Sequence, residues 1–348
     1  MQTLSPEQIR EEYEANPKMR ERDLSNKLGI SEAQLVAAHC GDTVYRIDAH
    51  PDSVMKAALS LGQVMALTRN ESCVHEKVGI YENYHPGKHA SMVLNENIDL
   101  RIFPLHWQHA FLVEKHADEY VTKSIQVFDA AGDAIHKVYM RSASDMAAWN
   151  DLHRSLPVDD QSQTLNLSPR KAPELPKADP QKLDILRKEW ARMTDTHQFM
   201  RLTSKLKMNR LGAYRIVGEP FVRKLNTDAV DVALQKVAAS ATDIMIFTGN
   251  KGCIQIHTGT VENLRPMGPW QNVMDPAFNL HLRLDHIEEV FAVDKPTQRG
   301  PALSIEAFDK DGALILQIFG VGKEGRDHRA QWHDIVSDLT NLQETETV

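Results

Sequence analysis

The sequence is poor in cysteine. Its 348 residues include three cysteines, and none of them stands in a CxxC or CxxCH motif. This pattern excludes zinc ribbons, thioredoxin-like redox sites and covalent attachment of a c-type haem, and it is too sparse for a disulfide framework. We expect Cys73 and Cys253 to be small buried hydrophobic residues.

Long apolar segments are also missing. No stretch approaches the roughly 18 consecutive apolar residues that a membrane-spanning helix needs. The first residues, MQTLSPEQIREEYEANPKMRERDL, are polar and carry both signs of charge, so they lack the apolar centre of a secretory signal. These features predict a cytoplasmic protein.

An excess of positive charge is absent as well. The net charge of -8 argues against broad affinity for nucleic acid or anionic membranes. The segment RERDLSNKLGISEAQLVAAH is similar to a helix-turn-helix, but its second helix has no Lys or Arg, so we interpret it as a structural helical hairpin. A local basic site for a small anion is still compatible with this charge.

What the sequence does contain is an internal repeat. Many residues of the first half recur 180 positions later, as Met65 recurs at Met245. The chain length suits about two domains of roughly 150 residues. The other repeated pairs are Thr68/Thr248, Asn70/Asn250, Cys73/Cys253, Gly79/Gly259, Asn83/Asn263, Leu100/Leu280, His106/His286, Phe111/Phe291, Lys115/Lys295, Ser124/Ser304, Ile125/Ile305, Phe128/Phe308, Asp129/Asp309 and Gly132/Gly312.

The middle of each half has the period-two pattern of half-buried strands, as in NIDLRIF. SIQVFDAAGDAIHKVYM and SIEAFDKDGALILQIFG are each typical of a strand, a turn and a strand, because Asp and Gly tolerate tight turns. Helical segments flank this middle, and strands do not alternate with helices, so we predict an α+β fold rather than a doubly wound parallel sheet. Each half should form a large antiparallel β-sheet with flanking helices, as a tandem structural duplication.

Prolines divide the chain. Residues 153–180 contain prolines at positions 157, 169, 173, 176 and 180, which favour an extended linker. We therefore predict a first repeat at 1–152, a linker at 153–180 and a second repeat at 181–348. Such a linker would let the two repeats face each other across a cleft.

His197 has no histidine at the equivalent position of the first half. Near the start of each repeat the offset is 178, and the counterpart of His197 is Met19. We predict a helix that begins near Thr194 or Asp195, with Gln198 completing a capping box after Asp195. His197 would lie in its first turn, where the helix dipole keeps the ring neutral and able to bind a metal. By position alone, a histidine at a helix start is more often structural or exposed.

The segment around His197 resembles a known family. LDILRKEWARMTDTHQFMRLTSKL, followed by Arg210, VDKPT and QIFG, is similar to the cytoplasmic haem-trafficking and haem-degrading proteins of the HemS, ChuS and PhuS type. The resemblance covers nearly the whole chain, including the duplication, NIDLRIF and the closing QW segment. It is specific as a combination of features, since no short piece is decisive.

The resemblance implies a set of haem-binding residues. His197, in THQF, would be the axial ligand of the haem iron. Arg101, in DLRIF, would approach the opposite face of the haem from the first-half sheet, where it could take a distal catalytic role, and Phe103 would be an aromatic neighbour. The positions that match family residues near the haem propionates are Arg210, Lys295, Gln317 and Phe319.

The repeat adds information on three of these residues. In the alignment of the two repeats, Arg210 is matched by Glu32 and Arg101 is matched by His281. Each arginine is therefore present in only one repeat, as expected of a residue that serves one shared site. Lys295 is matched by Lys115, which leaves a structural role equally open. Haem itself needs cations or donors for its two carboxylates and hydrophobic walls for its ring.

One region departs from the family pattern. Where the family has a YGQR-like run, this chain has Phe319, Gly320, Val321 and Gly322. Phe319 keeps the ring and loses the hydroxyl, and Lys323 could supply the missing charge only if the loop bends suitably. One propionate contact is therefore in question.

The remaining histidines form further candidate sites. HPGKH contains His85 and His89, HWQH contains His106 and His109, and His281 and His286 lie in the matching second-half region. We interpret most of the 16 histidines as surface or partly buried structural residues. Some could form a transient second haem site.

The resemblance implies two functions. The first is haem binding in the cytoplasm after import and delivery for iron release, with a haem importer upstream and a haem oxygenase or reductase downstream. The second is an enzyme that opens the porphyrin oxidatively. The sequence has no flavin or nicotinamide motif, so electrons for the second function would come from an external reductant.

Overall fold

The computed structural model describes residues 4–116, 121–323 and 325–341. The chain forms two compact units, and each unit includes a short segment from the other half of the sequence. Unit 1 comprises residues 1–69, 75–171 and 249–255. Unit 2 comprises residues 70–74, 172–248 and 256–348. The predicted boundaries at 152 and 180 stay a prediction.

Unit 1 combines helices with antiparallel strands. Its helices are α1 (Pro6–Ala15), α2 (Glu21–Leu28), α3 (Glu32–Ala37), α4 (Pro51–Ser60) and α5 (Met146–Ser155). Its strands are β1 (Val44–Ile47), β2 (Gly62–Arg69), β3 (Cys73–Gly79, which begins in the exchanged segment), β4 (Tyr84–His85), β5 (Ser91–Leu94), β6 (Asp99–Ile102), β7 (His109–His116), β8 (Val121–Phe128) and β9 (Ala134–Ser144).

Unit 2 has a similar order of elements, with two strands in place of β4, β5 and β6 and with two added short strands before its last helix. Its helices are α6 (Leu183–Ala191), α7 (Gln198–Leu206), α8 (Arg210–Val217), α9 (Ala229–Ser240) and α10 (Arg329–Ser337). Its strands are β10 (Val222–Leu225), β11 (Ile244–Gly249), β12 (Cys253–Gly259, which begins in the exchanged segment), β13 (Trp270–Asp275), β14 (Phe278–Arg283), β15 (Glu289–Lys295), β16 (Ala302–Phe308), β17 (Leu314–Gly320), β18 (Gly322–Lys323) and β19 (Arg326–Asp327).

The two units contain the same five-stranded antiparallel arrangement. In unit 1 the order is β1-β7-β8-β9-β2. In unit 2 the order is β10-β15-β16-β17-β11, with the corresponding strands in the corresponding places. The predicted α+β fold and its tandem duplication are confirmed.

The predicted hairpins are confirmed at β8–β9 and β16–β17. In the second hairpin, Asp309 Oδ1 accepts hydrogen bonds from the Asp311 and Ala313 amides, and Gly312 has a φ of 81°. Gly132, at the equivalent position, has a φ of 82°. Glycine adopts this left-handed conformation without steric cost, which explains its recurrence in both turns.

Both faces of the unit 2 sheet are covered by helices. On one face, Ile305, Leu316 and Ile318 pack with apolar residues of α9 and α10. On the other, Phe291 and Phe308 pack with residues of α6, α7 and α8. This second face positions the candidate site, because α7 and α8 carry His197 and Arg210 at their beginnings.

The burial of two cysteines matches the expectation from the sequence, and two tryptophans are buried as well. Trp149 and Trp332 are fully buried in the clusters beneath α5 and α10. Cys73 and Cys253 are free and buried, and burial raises the pKa of both thiols to about 12. In the described part of the chain, no helix is both long and apolar enough to cross a membrane.

Candidate functional site

His197 lies immediately before α7. The helix begins at Gln198, so the prediction that it begins near Thr194 or Asp195 is wrong by three or four residues. His197 has helical backbone angles, with φ of -68° and ψ of -19°, but it caps the helix instead of lying in its first turn.

Side-chain hydrogen bonds explain the later helix start. Asp195 Oδ1 accepts a hydrogen bond from the His197 amide at 2.7 Å, which closes a short turn before the helix. Gln198 Oε1 accepts from the Thr194 amide at 2.8 Å, so the partner of Gln198 is Thr194 and not Asp195, which the sequence predicted. Asp and Thr side chains commonly compete in this way with helical backbone bonds.

The imidazole of His197 is exposed and oriented. Its side chain is 94% exposed, and Nδ1 lies 2.6 Å from Asp195 Oδ1. A carboxylate accepts hydrogen bonds, so Nδ1 carries the proton in the neutral ring. Nε2, which has no hydrogen-bond partner among the described residues, is then the unprotonated nitrogen of an exposed ring.

Helix α7 separates an apolar face from an exposed face. Phe199 and Leu202 are buried in the cluster around Trp190. Met200, three residues after His197, is 55% exposed. The first turn of α7 therefore presents an exposed thioether, three residues after the exposed imidazole.

Arg210 begins α8 and is held from several sides. The helix is capped by Asn209, whose side chain accepts a hydrogen bond from the Gly212 amide. Arg210 Nη1 donates to Glu306 Oε2 at 2.8 Å and to the Tyr214 hydroxyl at 3.1 Å. Nη2 lies 3.6 Å from Met200 Sδ, which connects Arg210 to the exposed face of α7.

Glu306 is the centre of a buried polar group. Its Oε1 accepts from Lys295 Nζ at 2.6 Å and from Ser304 at 3.1 Å, while its Oε2 accepts from Arg210 and Tyr214. Burial alone raises the pKa of Glu306, but Lys295 and Arg210 outweigh this effect and lower the pKa to about 2. The carboxylate is therefore ionised at neutral pH.

Sequence reasoning missed Glu306 and the role of its partners. The structure places Lys295 inside unit 2, only 3% exposed and paired with Glu306. A signal was available, because Glu306 replaces Gln126 of the first half within an alternating strand next to two predicted cationic positions. A buried carboxylate near two cations needs both of them as partners.

Gln317 and Phe319 extend the same face of the sheet. Gln317 pairs with Glu306 across β16 and β17, and Phe319 pairs with Ser304. Phe319 and Phe247 are both half-buried, and their ring centroids are 5.3 Å apart in an edge-to-face arrangement. The structure thus brings Arg210, Gln317 and Phe319 to one face of one sheet.

The segment that departs from the family's YGQR-like run packs against α10. A Cβ at Gly320 would lie 2.6 Å from the Trp332 side chain, so the close approach of α10 requires glycine. Val321 is buried, and Lys323 is exposed in the short β18–β19 pair without an ion-pair partner in the described part of the chain.

Arg101 and Phe103 lie in unit 1. Arg101 pairs with Met92 across β5 and β6, and its guanidinium donates to Asp99 and, at 3.1 Å, to the Leu100 carbonyl. The Arg101 side chain is partly exposed. Phe103 is half-buried and its amide donates to the Gly252 carbonyl at 2.9 Å. These contacts fix both residues at the end of β6.

Unit 1 carries different charges at the positions equivalent to Arg210 and Gln317: an anion replaces the arginine and a cation replaces the neutral glutamine. Glu32, the counterpart of Arg210, is buried and forms ion pairs with Lys137 and Arg69. Lys137 is the counterpart of Gln317. Burial favours neutral Glu32, but Lys137 and Arg69 prevail and lower its pKa to about 2. Ion pairs therefore occupy this position in the first repeat.

The other candidate histidines do not form a metal centre within residues 4–116, 121–323 and 325–341. His85 and His89 are exposed, and His106 and His109 are partly buried. Nδ1 of His281 lies 2.6 Å from Asn272 Oδ1, and Nδ1 of His286 lies 3.1 Å from the Ser72 hydroxyl. These hydrogen bonds give His281 and His286 a structural role.

The fold and the site define a class: a tandemly duplicated α+β protein whose second repeat presents an oriented, exposed histidine. The chain belongs to the haemin-degrading HemS.ChuX domain family, whose model matches residues 29–156 and 207–339. The predicted family is confirmed.

Two curated relatives match almost the full length. The chain is 37% identical over 329 residues to the hemin transport protein HemS of Yersinia enterocolitica, covering 94% of each sequence. It is 38% identical over 323 residues to the hemin transport protein HmuS of Yersinia pestis, covering 92% of each.

Two solved structures are also similar. Holo-PhuS, a heme-binding protein from Pseudomonas aeruginosa, matches with a TM-score of 0.93 and 37% identity over 97% of this chain and 100% of that one. The heme degrading enzyme ChuS of Escherichia coli O157:H7 matches with a TM-score of 0.87 and 34% identity over 95% of this chain and 97% of that one.

Proposed function

We propose that this protein binds haem in the cytoplasm and delivers it for iron release. The observation that carries the proposal is the geometry of His197, whose imidazole is 94% exposed and whose Nδ1 is 2.6 Å from a carboxylate. An imidazole held in this way has its Nε2 available for a metal. The names of HemS, HmuS and PhuS support haem as the metal complex that this chain binds.

The described side chains of unit 2 suit the chemical parts of haem. His197 would coordinate the iron. Met200, which is exposed, and Phe319, which is half-buried, offer apolar surface for the porphyrin. Arg210 has its Nη1 engaged by Glu306 and Tyr214, which leaves the rest of its partly exposed guanidinium to bind a propionate.

Other predicted contacts belong to the same proposal. Gln317 would donate a hydrogen bond on the propionate side. Lys295 would act through its ion pair with Glu306, since it is buried in unit 2. The roles of Arg101 and Phe103 in haem binding stay predictions of the family resemblance. We propose that Lys323 supplies the charge lost where the family has a YGQR-like run.

A second candidate function is oxidative haem degradation. The similarity to the heme degrading enzyme ChuS favours it, as does the partly exposed guanidinium of Arg101, which could polarise a ligand. When bound, haem would supply the redox chemistry, and an external reductant would supply the electrons. For either function a haem importer would act upstream, and for delivery a haem oxygenase or reductase would act downstream.

Two measurements test these functions. Titration of the purified protein with haemin should give a saturable change in the Soret band, and a change no larger than that of an inert protein control would contradict haem binding. The loaded protein is then incubated with ascorbate for a single turnover. Stable haem that moves to an added haem oxygenase supports delivery, while loss of the Soret band with release of a linear tetrapyrrole and iron supports degradation.

A further inference from the structure

Asp195 and His197 form a hydrogen-bonded pair that has no equivalent at the matching positions of the first repeat. Asp195 Oδ1 lies 2.7 Å from the His197 amide nitrogen and 2.6 Å from Nδ1, so one carboxylate oxygen accepts from both the backbone and the ring. At the offset of 178, the first-half counterparts are Pro17 and Met19. The first repeat therefore lacks both members of the pair.

The two hydrogen bonds restrict the ring. The backbone bond fixes the turn that carries His197, and the bond to Nδ1 selects the direction in which the imidazole faces. A carboxylate partner also keeps the proton on Nδ1 and makes Nε2 a stronger electron donor. The neighbouring Gln198–Thr194 bonds hold the same turn without contacting the ring.

We propose that Asp195 is the positioning residue for the axial ligand. It orients His197, fixes its tautomer and strengthens electron donation from Nε2 to the bound iron. The inference deepens the proposed function and rests on it, because it requires His197 to coordinate haem iron.

Substitution of Asp195 by Asn separates this role from helix capping. The amide oxygen of Asn can still accept from the His197 backbone, but it is neutral and a weaker partner for the ring. In the Asp195→Asn variant we expect the iron–histidine stretching frequency of the ferrous complex to fall, the haem reduction potential to rise, and haem affinity to fall roughly 10- to 100-fold. The Asp195→Glu variant should restore part of each value.

Asp184→Asn is a matched control, because Asp184 is an exposed carboxylate of α6 in the same unit. It should leave all three quantities unchanged, and the melting temperature of each apo-protein checks its folding. If Asp195→Asn keeps the wild-type frequency, potential and affinity while His197→Ala loses the iron–histidine band, Asp195 only closes the turn before α7 and the inference is wrong. If His197→Ala keeps that band, the ligand assignment in the proposed function fails instead.

Discussion

At the residue scale, Glu306 balances the charges of Lys295 and Arg210 in unit 2. Lys295 is 3% exposed, and Glu306 is fully buried between Lys295 and Arg210. Removal of one partner from such a group leaves uncompensated buried charge, which costs about 3–5 kcal/mol.

We therefore expect Glu306→Gln to lower the free energy of unfolding by about 3–5 kcal/mol, measured by urea denaturation of the apo-protein. The matched control is Glu288→Gln, since Glu288 is exposed in the same unit. A Glu306→Gln variant as stable as the control would show that the buried group contributes little.

The same carboxylate makes stability depend on pH, together with Glu32. Each pKa is lowered from 4.5 to about 2, because neighbouring cations outweigh the effect of burial. A lowered pKa in the folded state contributes stability above the unfolded pKa, and that stability is lost as pH falls from about 4.5 towards 2. Each group contributes up to about 3 kcal/mol on this basis.

We expect the melting temperature to fall steeply over this pH interval. The slope should be smaller in a Glu32→Gln variant measured over the same range, because one of the two titrating carboxylates is gone. An equal slope in the variant and the wild type would contradict the assignment of Glu32.

At the scale of elements, the two equivalent hairpin turns differ in their neighbours. A Cβ at Gly132 would lie 2.3 Å from Ser31 Oγ, and Ser31 caps α3. A Cβ at Gly312 would lie 3.2 Å from the flexible end of Leu211. Both glycines have positive φ, so alanine costs about 1–2 kcal/mol at either position.

Gly132→Ala should cost more than Gly312→Ala, by about 1 kcal/mol, because it also displaces a helix cap. Urea denaturation of the two variants side by side measures the difference. Equal losses of stability would show that α3 adjusts without losing its cap.

The hairpins and the duplication could be predicted because they depend on local patterns that occur twice. The start of α7 could not, since Thr194 and Asp195 are both good caps, yet their hydrogen bonds with Gln198 and the His197 amide form a turn and the helix begins only at Gln198. The Lys295–Glu306 pair depends on strand register, which the sequence pattern did not specify. The exposed position of His197 was compatible with the sequence but not implied by it.

At the scale of the whole molecule, duplication has produced two similar units with different charges at matched positions. Unit 2 has His197 and Arg210, where the first repeat has Met19 and Glu32. Glu32 is already satisfied by Lys137 and Arg69. The first repeat thus lacks the imidazole and the cation that we assign to haem binding.

We expect one high-affinity haem per chain. A Soret titration of protein at a known concentration measures the stoichiometry, with a break at about one equivalent. Two equivalent high-affinity sites would contradict the division of roles between the repeats.

The assignment of His197 as the axial ligand is the central claim. It is tested most directly by the absorption spectrum of His197→Ala titrated with haemin, beside His333→Ala, which removes an exposed histidine of the same unit. We predict that His197→Ala shifts the Soret maximum and weakens haem binding, while His333→Ala matches the wild type. A His197→Ala variant with the wild-type spectrum and affinity would contradict the claim.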